Sequence, residues 1–355
     1  MITLCVAYMV KNESNNIEFS LNSVRTIADK IIVVDTGSTD DTIKKIQNWC
    51  DINKIEVKIY ERPFVNFGYN RSELAVLTHN EATYTLFLDA DMLVELNNFN
   101  KQELKADQYD LLIHWVGTGF YNPLLVSNKL SWHSIGVIHE YWYAEHIKSR
   151  DKLPSLILNH DRHGPARPKG LNDLKLLEQG VIDEPNNARY HFYLANTLRD
   201  VGKYEEAIKI FSKRIEMGGW VEEIFYSKYQ IGYCFELLNE LNKAKIAYLK
   251  AWEYRPSRAE PLYKLATICR KNGEYQQSYL FAEKGLEIPY PNDIIFVDKP
   301  TYEYGLLFEL SIAAYWVGHY KKAIKLCKKL NKIQNIPEDV KIQNLKNIKF
   351  SEDKI

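Results

Sequence analysis

Two carboxylates one residue apart, Asp89 and Asp91, interrupt the apolar run "TLFLDADMLVEL" (85–96). An unpaired carboxylate is costly to bury, so such a pair implies either a solvent-facing turn or a shared positive partner. Residues i and i+2 of a strand project to the same side, which puts both acids on one face. Paired carboxylates suit Mg²⁺ or Mn²⁺, hard ions that take oxygen ligands and bridge protein acids to substrate phosphates. A second acidic strand end, Asp35 in "IIVVDTGSTDDT", lies upstream. The expected chemistry is therefore a metal–diphosphate held between strand ends.

The elements that must position these acids are legible in the periodicity. "ITLCVAYMV", "KIIVVD", "KIEVKIYE" and "YTLFLDA" read as strands. Helical spacing over 16–28, a helix capped by Ser38 or Thr39, and a helix over 70–82 alternate with them. Such alternation predicts an α/β domain with a Rossmann-like, mainly parallel sheet, and these sheets bind ligands beyond the carboxyl ends of their strands. "DLLIHWV" and "SLILNH" suggest further strands around an irregular, aromatic-rich segment.

After about residue 165 the text becomes helical and repetitive. In "YLANTLRDVGKYEEAIKIF", "QIGYCFELLNELNKAKIAY", "KLATICRKNGEYQQSYLFA" and "ELSIAAYWVGHYKKAIKLC", small residues recur at Ala195, Gly232, Ala266 and Ser311. They recur again at Ala207, Ala244, Ser278 and Ala323, and Tyr204, Leu241, Tyr275 and Tyr320 open each second helix. The period resembles that of the tetratricopeptide repeat, about 34 residues. The wider last step implies an insertion around "PYPNDIIFVDKP". The expected organisation is an α/β domain over 1–164 and an all-α repeat solenoid over 165–355, joined by "DRHGPARPKG".

Lys plus Arg and Asp plus Glu both total 46 in 355 residues, a balance that argues against a general nucleic-acid binder. The five scattered cysteines form no CxxC pair and read as core residues of a reducing compartment. No apolar run reaches the length of a membrane span, so a cytoplasmic protein is expected.

The order "AYMVKNES", "IIVVDTGSTDDT", "FVNFGYNRSELA", "TLFLDADM" resembles the family 2 glycosyltransferases with a GT-A fold, in the subgroup fused to tetratricopeptide repeats. The resemblance implies inverting, metal-dependent transfer, hexosyl transfer foremost, from a nucleotide-diphosphate sugar, with a UDP-sugar first among donors. The cofactor would be Mn²⁺ or Mg²⁺, and the acceptor a glycan, peptide or protein held by the repeats. It places the nucleotide against Ala7, Tyr8, Val10, Asn12 and Glu13, with Asp35 accepting from base or ribose and Ser38 supplying donors or only a helix cap. Asn70 and Arg71 would meet phosphate or ribose. Asp89 and Ala90 would meet the donor, Asp89 through ribose or the metal, and Asp91 would ligate the metal directly.

An inverting transfer needs a base, and Glu140 in "GVIHEYW" is the candidate, set among Ile138, Tyr141 and Trp142. The acidic "ED" pair that supplies the base in many family 2 members has no obvious counterpart, and Asp161 is the next choice. His160, at the end of "SLILNH", is a further metal-ligand candidate, and His139 a ligand or acceptor contact. Trp115 and Trp142 belong to an aromatic group suited to stacking on sugar rings. Two other readings compete: a catalytically inactive transferase-like scaffold whose repeats bind a protein, and a nucleotidyltransferase. The intact acids speak against the first, and the absence of glycine from "AYMVKNES" against the second.

Overall fold

The structure is a computed structural model that describes residues 1–115, 118–163 and 170–355. Its contacts divide the chain into two compact units, Met1–Gly180 and Val181–Ile355.

The first unit contains, in chain order, β1 (Leu4–Val10), α1 (Ile17–Val24), β2 (Lys30–Asp35), α2 (Thr42–Asn53), β3 (Glu56–Glu61), α3 (Phe67–Thr78), β4 (Tyr84–Leu88) and β5 (Met92–Leu96). Then come β6 (Gln108–Trp115), β7 (Thr118–Ser127), β8 (Trp132–Ile135), β9 (Tyr141–Ala144), β10 (Arg150–His160) and α4 (Leu171–Asp183), the last crossing into the second unit. Eight strands form one sheet in the order β3-β2-β1-β4-β7-β6-β10-β5. The β3-β2-β1-β4 half is parallel, as the strand–helix alternation requires. The other half is mixed: β7 runs antiparallel to β4 and β6, and β5 antiparallel to β10, while β6 and β10 are parallel.

Leu4 through Tyr8 in β1 are inaccessible to solvent, because a central parallel strand is covered on both faces and so reads as a continuous apolar run. Each fully buried aliphatic side chain contributes about 1.5–3 kcal/mol. The five cysteines are free and buried. Burial pushes the Cys5 thiol up to about 12, so it stays a protonated core residue.

The segment expected to be irregular holds β7, β8 and β9. Pro123 hid β7: it lies in the strand where the register with β6 shifts, between Tyr109 and Asp110. β8 and β9 pair as a separate hairpin, with Trp132, Ser134, Trp142 and Ala144 turned inward. Helix bounds also differ from the sequence reading. α1 ends at Val24, and α2 begins at Thr42 with Asp41 at its cap position, not Ser38 or Thr39. α3 begins at Phe67 because the Asn66 side chain accepts from the Tyr69 N–H.

The second unit is built from helix pairs: α5 (Ala188–Asp200) with α6 (Tyr204–Glu216), α7 (Val221–Leu237) with α8 (Leu241–Tyr254), α9 (Glu260–Lys271) with α10 (Tyr275–Leu286), and α11 (Leu306–Trp316) with α12 (Tyr320–Leu330). α13 (Glu338–Glu352) follows. Tyr204, Leu241, Tyr275 and Tyr320 are the first residues of the second helices. The small residues sit where helices cross: Ala195, Ala207, Ala244, Ala266, Ser278 and Ala323 are inaccessible, and a Cβ on Gly232 would meet the Tyr248 ring at 2.7 Å. The insertion lies between α10 and α11, and Ile288–Asp298 carries no helix or strand.

One contact in the first unit sets the hairpin against α3. A Cβ on Gly68 would lie 2.3 Å from the Gly136 carbonyl oxygen, so only glycine allows this approach. The Phe67 N–H donates to the Val137 carbonyl at 3.1 Å, and Ser72 Oγ accepts from the Ser134 N–H at 2.9 Å. Gly68→Ala is expected to cost at least about 1–3 kcal/mol through overpacking, read from the urea-unfolding transition of this unit. A variant as stable as the wild type would show that α3 and the hairpin turn are not held at this separation.

Candidate functional site

The registers bring the acids to one edge of the sheet. Val10 pairs with Asp35, and Tyr8 with Leu88, so residues 10–13, 35–38 and 89–91 leave adjacent strands at the same level. β5 and β10 reach that level from the other half: His160 pairs with Met92, and the Asp161 N–H donates to the Asp91 carbonyl at 2.9 Å. Asn159 pairs with His114, which sets Trp115 beside His160, their rings stacked 4.7 Å apart.

Arg71 projects from α3 into this edge. Its Nη2 donates to Asp89 Oδ1 at 2.6 Å, and its Nε lies 2.6 Å from Glu140 Oε1 in an ion pair without hydrogen-bond alignment. Burial works against the guanidinium charge, but the two carboxylates more than offset it and raise its pKa. Glu140 sits in the turn before β9, where the neighbouring His139 takes a positive φ of 53°. The apolar setting expected for Glu140 is thus shared with a cation. Beside these charges Phe87, Met92, Asn122, Leu124 and Trp142 complete a cavity of about 100 Å³. That is room for a few waters or the edge of a sugar ring.

Asp91 has different partners. Its Oδ2 accepts from Arg162 Nη1 at 2.8 Å and lies 3.3 Å from His160 Nε2. Arg162 also faces Glu13 Oε1 at 3.5 Å. Burial pushes the Glu13 carboxyl up; Asn16 and Arg162 pull it down, and the charges of Asp91 and Asp89 raise it further. Among the described residues no three His, Cys, Asp or Glu side chains converge on a metal position. Asp91 and His160 do stand near the separation of neighbouring octahedral ligands, about 3 Å for bonds of about 2.1 Å. They fit a cation held by two protein ligands and otherwise by water or phosphate, with Arg162 competing for Asp91.

Asp35 is buried and closes a tight turn, accepting from Ser38 Oγ at 2.6 Å and from the Ser38 N–H at 3.1 Å. Ser38 is therefore no cap of α2; its hydroxyl links Asp35 to the Asn12 N–H, 3.0 Å away. Asn12 Oδ1 in turn accepts from the Thr39 N–H.

Several expected contacts are placed elsewhere. Tyr8 is wholly buried with its hydroxyl 3.0 Å from Ser20 Oγ, and Ala7 is core, so neither side chain reaches the edge. The Val10 side chain is buried and its carbonyl accepts from Thr36. Asn70 turns inward, accepting from the Val65 N–H and donating to the Pro63 carbonyl. Trp142 is a core side chain stacked on Phe87 at 3.9 Å. Ala90 is buried, whereas Trp115 and His139 are exposed. Asp161 is exposed and 3.4 Å from His163.

Arg162 was not singled out from the sequence, although "DRHG" directly follows a strand ending at the same edge. This start of the junction folds back onto α1: the His163 N–H donates to Asn16 Oδ1 at 2.7 Å, and its ring packs tilted against Phe19, centroids 4.1 Å apart. Residues 164–169 of "DRHGPARPKG" lie outside the described residues. A larger cavity of about 350 Å³ is lined by Asn98, Tyr109, Asp151 and Lys152. It opens at the amino ends of β6 and β10, away from the acids, whereas ligands of such sheets bind at carboxyl ends.

Residues 5–168 match the family described as "Glycosyl transferase family 2", and residues 225–258 match "Tetratricopeptide repeat". The SPbeta prophage-derived glycosyltransferase SunS of Bacillus subtilis (strain 168) is 29% identical over 235 residues, covering 60% of this chain and 53% of that protein. The chain thus spans about half the length of that curated relative. The uncharacterized glycosyltransferase RC0292 of Rickettsia conorii is 23% identical over 228 residues, covering 61% of this chain and 77% of its own. Among solved structures, MamA is 22% identical with a TM-score of 0.36, covering 44% of this chain and 78% of that chain. YrrB, described as "a TPR protein with an unusual peptide-binding site", is 14% identical with a TM-score of 0.38, covering 50% and 89%. Both structural likenesses are too slight to bear on function. The chain joins a family 2 glycosyltransferase domain, over residues 5–168, to tetratricopeptide repeats.

Proposed function

We propose that the chain is an inverting glycosyltransferase that moves a sugar, a hexose foremost, from a nucleotide-diphosphate donor to an acceptor hydroxyl. A UDP-sugar is the first donor to test. The observation that carries this reading is the meeting of Asp35, Asp89 and Asp91 at one sheet edge with two guanidinium groups and a small cavity. The family match supports it. Asn12, Glu13 and the Asp35–Ser38 turn form the rim that would receive the nucleotide. Asp91 and His160 would hold Mn²⁺ or Mg²⁺, whose chemistry is to neutralise charge on the departing diphosphate.

Glu140 is the proton acceptor in this reading. It borders the cavity where an acceptor hydroxyl would sit, and Arg71 fixes its position. Arg71 also keeps two carboxylates of one small cavity from repelling each other. Phe87, Leu124 and Trp142 supply the apolar part of the cavity wall. Trp115 and His139, exposed at the edge, are the acceptor contacts of the proposal. The acceptor is a glycan, peptide or protein. Among the described residues no helix is long and apolar enough to cross a membrane.

Donor turnover should appear when nucleotide-sugars are screened with and without Mn²⁺. Asp91→Asn is expected to abolish metal-dependent turnover while leaving the circular dichroism spectrum unchanged. Turnover near the wild-type level across a Mn²⁺ titration would remove Asp91 from the metal site. No turnover of any donor by the wild type would favour the inactive-scaffold reading.

Glu140→Gln keeps the shape of the side chain but cannot take a proton. Loss of general-base assistance should slow transfer by about 10²–10⁴-fold. Donor affinity, measured by calorimetry, should change little, because the base acts on the acceptor in the transition state. Transfer within a few-fold of wild type would place the base elsewhere, with Asp161 next to test.

A further inference from the structure

The second helices of the repeats share a framework but not a surface. Aligned on their opening residues, α6 carries Glu205, Lys209, Ser212 and Glu216 where α12 and the turn after it carry Lys321, Lys325, Lys328 and Lys332. In the α8 and α10 repeats the last of these positions is again an acid, Glu253 and Glu287. The repeat framework therefore does not itself require a row of lysines there.

The four lysines recur at i, i+4, i+7 and i+11 and so share one face of the helix. Ala323, Cys327 and Leu330 take the opposite, inaccessible face. α12 contains no acid. Lys322 pairs with Glu283 of α10 at 2.5 Å. Among the described residues, Lys321, Lys325, Lys328, Lys329 and Lys332 form no ion pair. Like charges at i, i+4 destabilise a helix, and neighbours in the row lie within one Debye length, about 10 Å at 0.1 M salt. The row thus presents an unbalanced positive field.

The next helix is amphipathic in the inverted sense. Asn344 and Ser351 of α13 are inaccessible, and Asn344 Nδ2 donates to the Cys327 carbonyl at 2.9 Å and to Asn331 Oδ1 at 2.6 Å. Ile342, Leu345 and Phe350 point outward, 49%, 59% and 51% exposed. Ile342 and Leu345 share their face with Lys346 and Lys349 at i, i+3, i+4 and i+7. The acids of α13 stand at its ends, Glu338 and Asp339 in the first turn and Glu352 and Asp353 at the close. Residues 320–355 hold ten lysines and no arginine against four acids, in a chain whose totals balance.

This composition selects among anions. Arginine has the planar fork that reads nucleic-acid phosphates and bases, whereas lysine is a point charge on a flexible apolar stem. Half-exposed apolar side chains among lysines gain nothing from an aqueous polyanion. They gain from a headgroup boundary, where apolar groups enter and lysine stems lie along them with the ammonium in the polar layer. We propose that α12 and α13 form a docking surface for an anionic lipid bilayer. The lysines supply the attraction, about fivefold in affinity for each one near the surface, and Ile342, Leu345 and Phe350 enter the headgroup boundary. The attachment is peripheral. It is independent of the chemistry proposed for the first unit.

The test mixes the full chain with vesicles of phosphatidylcholine alone, or of equal parts phosphatidylcholine and phosphatidylserine, and measures bound protein by flotation. Binding is expected on the anionic vesicles only and should fall as salt is raised. The fourfold substitution Lys321→Gln, Lys325→Gln, Lys328→Gln, Lys332→Gln should weaken it at least about 25-fold, and arginine at the same positions should preserve it. If the fourfold variant loses its helical spectrum, the pair Lys325→Gln, Lys328→Gln serves instead, with a loss of at least about fivefold. Leu345→Ser with Phe350→Ser should weaken binding while leaving its salt dependence unchanged. No binding to anionic vesicles, equal binding to neutral ones, or wild-type binding by the glutamine or serine variants would overturn the proposal. So would tighter binding to a mixed-sequence DNA duplex than to the vesicles. A dimer in sedimentation velocity that the serine variant dissociates would assign the apolar face to a second copy of the chain and equally refute the bilayer.

Discussion

One guanidinium holds the candidate site together. Arg71 lies between Asp89, at the end of a central parallel strand, and Glu140, in a hairpin turn far along the chain. Without it, two carboxylates would face one cavity of about 100 Å³ with no cation between them, and their mutual repulsion would disfavour the charged form of both. The position of Glu140 thus depends on α3, and α3 reaches the hairpin only because Gly68 has no side chain to meet the Gly136 carbonyl. Sheet, helix and hairpin are tied in series, with the charge at the end of the series.

Arg162 plays the same part for the other acid. It reaches Asp91 and Glu13 from the chain leaving β10. The edge therefore carries its own counter-charges, each on a side chain long enough to turn toward phosphate. A cation at Asp91 and His160 would take the place of one of them and leave the local charge nearly balanced. Under the proposed function, this is a physical reason for acids and arginines to be interleaved at a site that would receive a polyanion.

What was legible in the sequence follows from the range of the interactions that determine it. The parallel half of the sheet was readable because strands buried on both faces are apolar throughout, and the repeat helices because small residues must recur where they cross. Asp35, Asp89 and Asp91 stood out because acids at the end of an apolar run are locally anomalous. Nothing local marks Trp142 as core and Trp115 as exposed; a hairpin packed onto Phe87 decides that. Asn70 looked like a ligand contact because it lies near a helix start. Its amide is instead spent on Pro63 and Val65, whose backbone groups need partners where the chain turns into α3. Ser38 shows the converse, since a residue typical of caps is drawn by a buried acid three positions earlier.

The insertion between α10 and α11 and the junction show how such segments can be read once charge is followed in place of hydropathy. "PYPNDIIFVDKP" has the composition of a linker, and two of its apolar side chains do remain largely exposed. A hydrophobic reading would leave it unattached. It is held because Glu222, Arg258 and Glu260 offer charges to a backbone whose polar groups would otherwise bond only to water. Hydrogen bonds to charged groups are stronger than neutral ones, so a few of them position a segment that contributes little to the core. The same economy operates at the transferase edge. There too the ordering groups are ion pairs between segments distant in sequence, and only the folded chain brings the partners within reach.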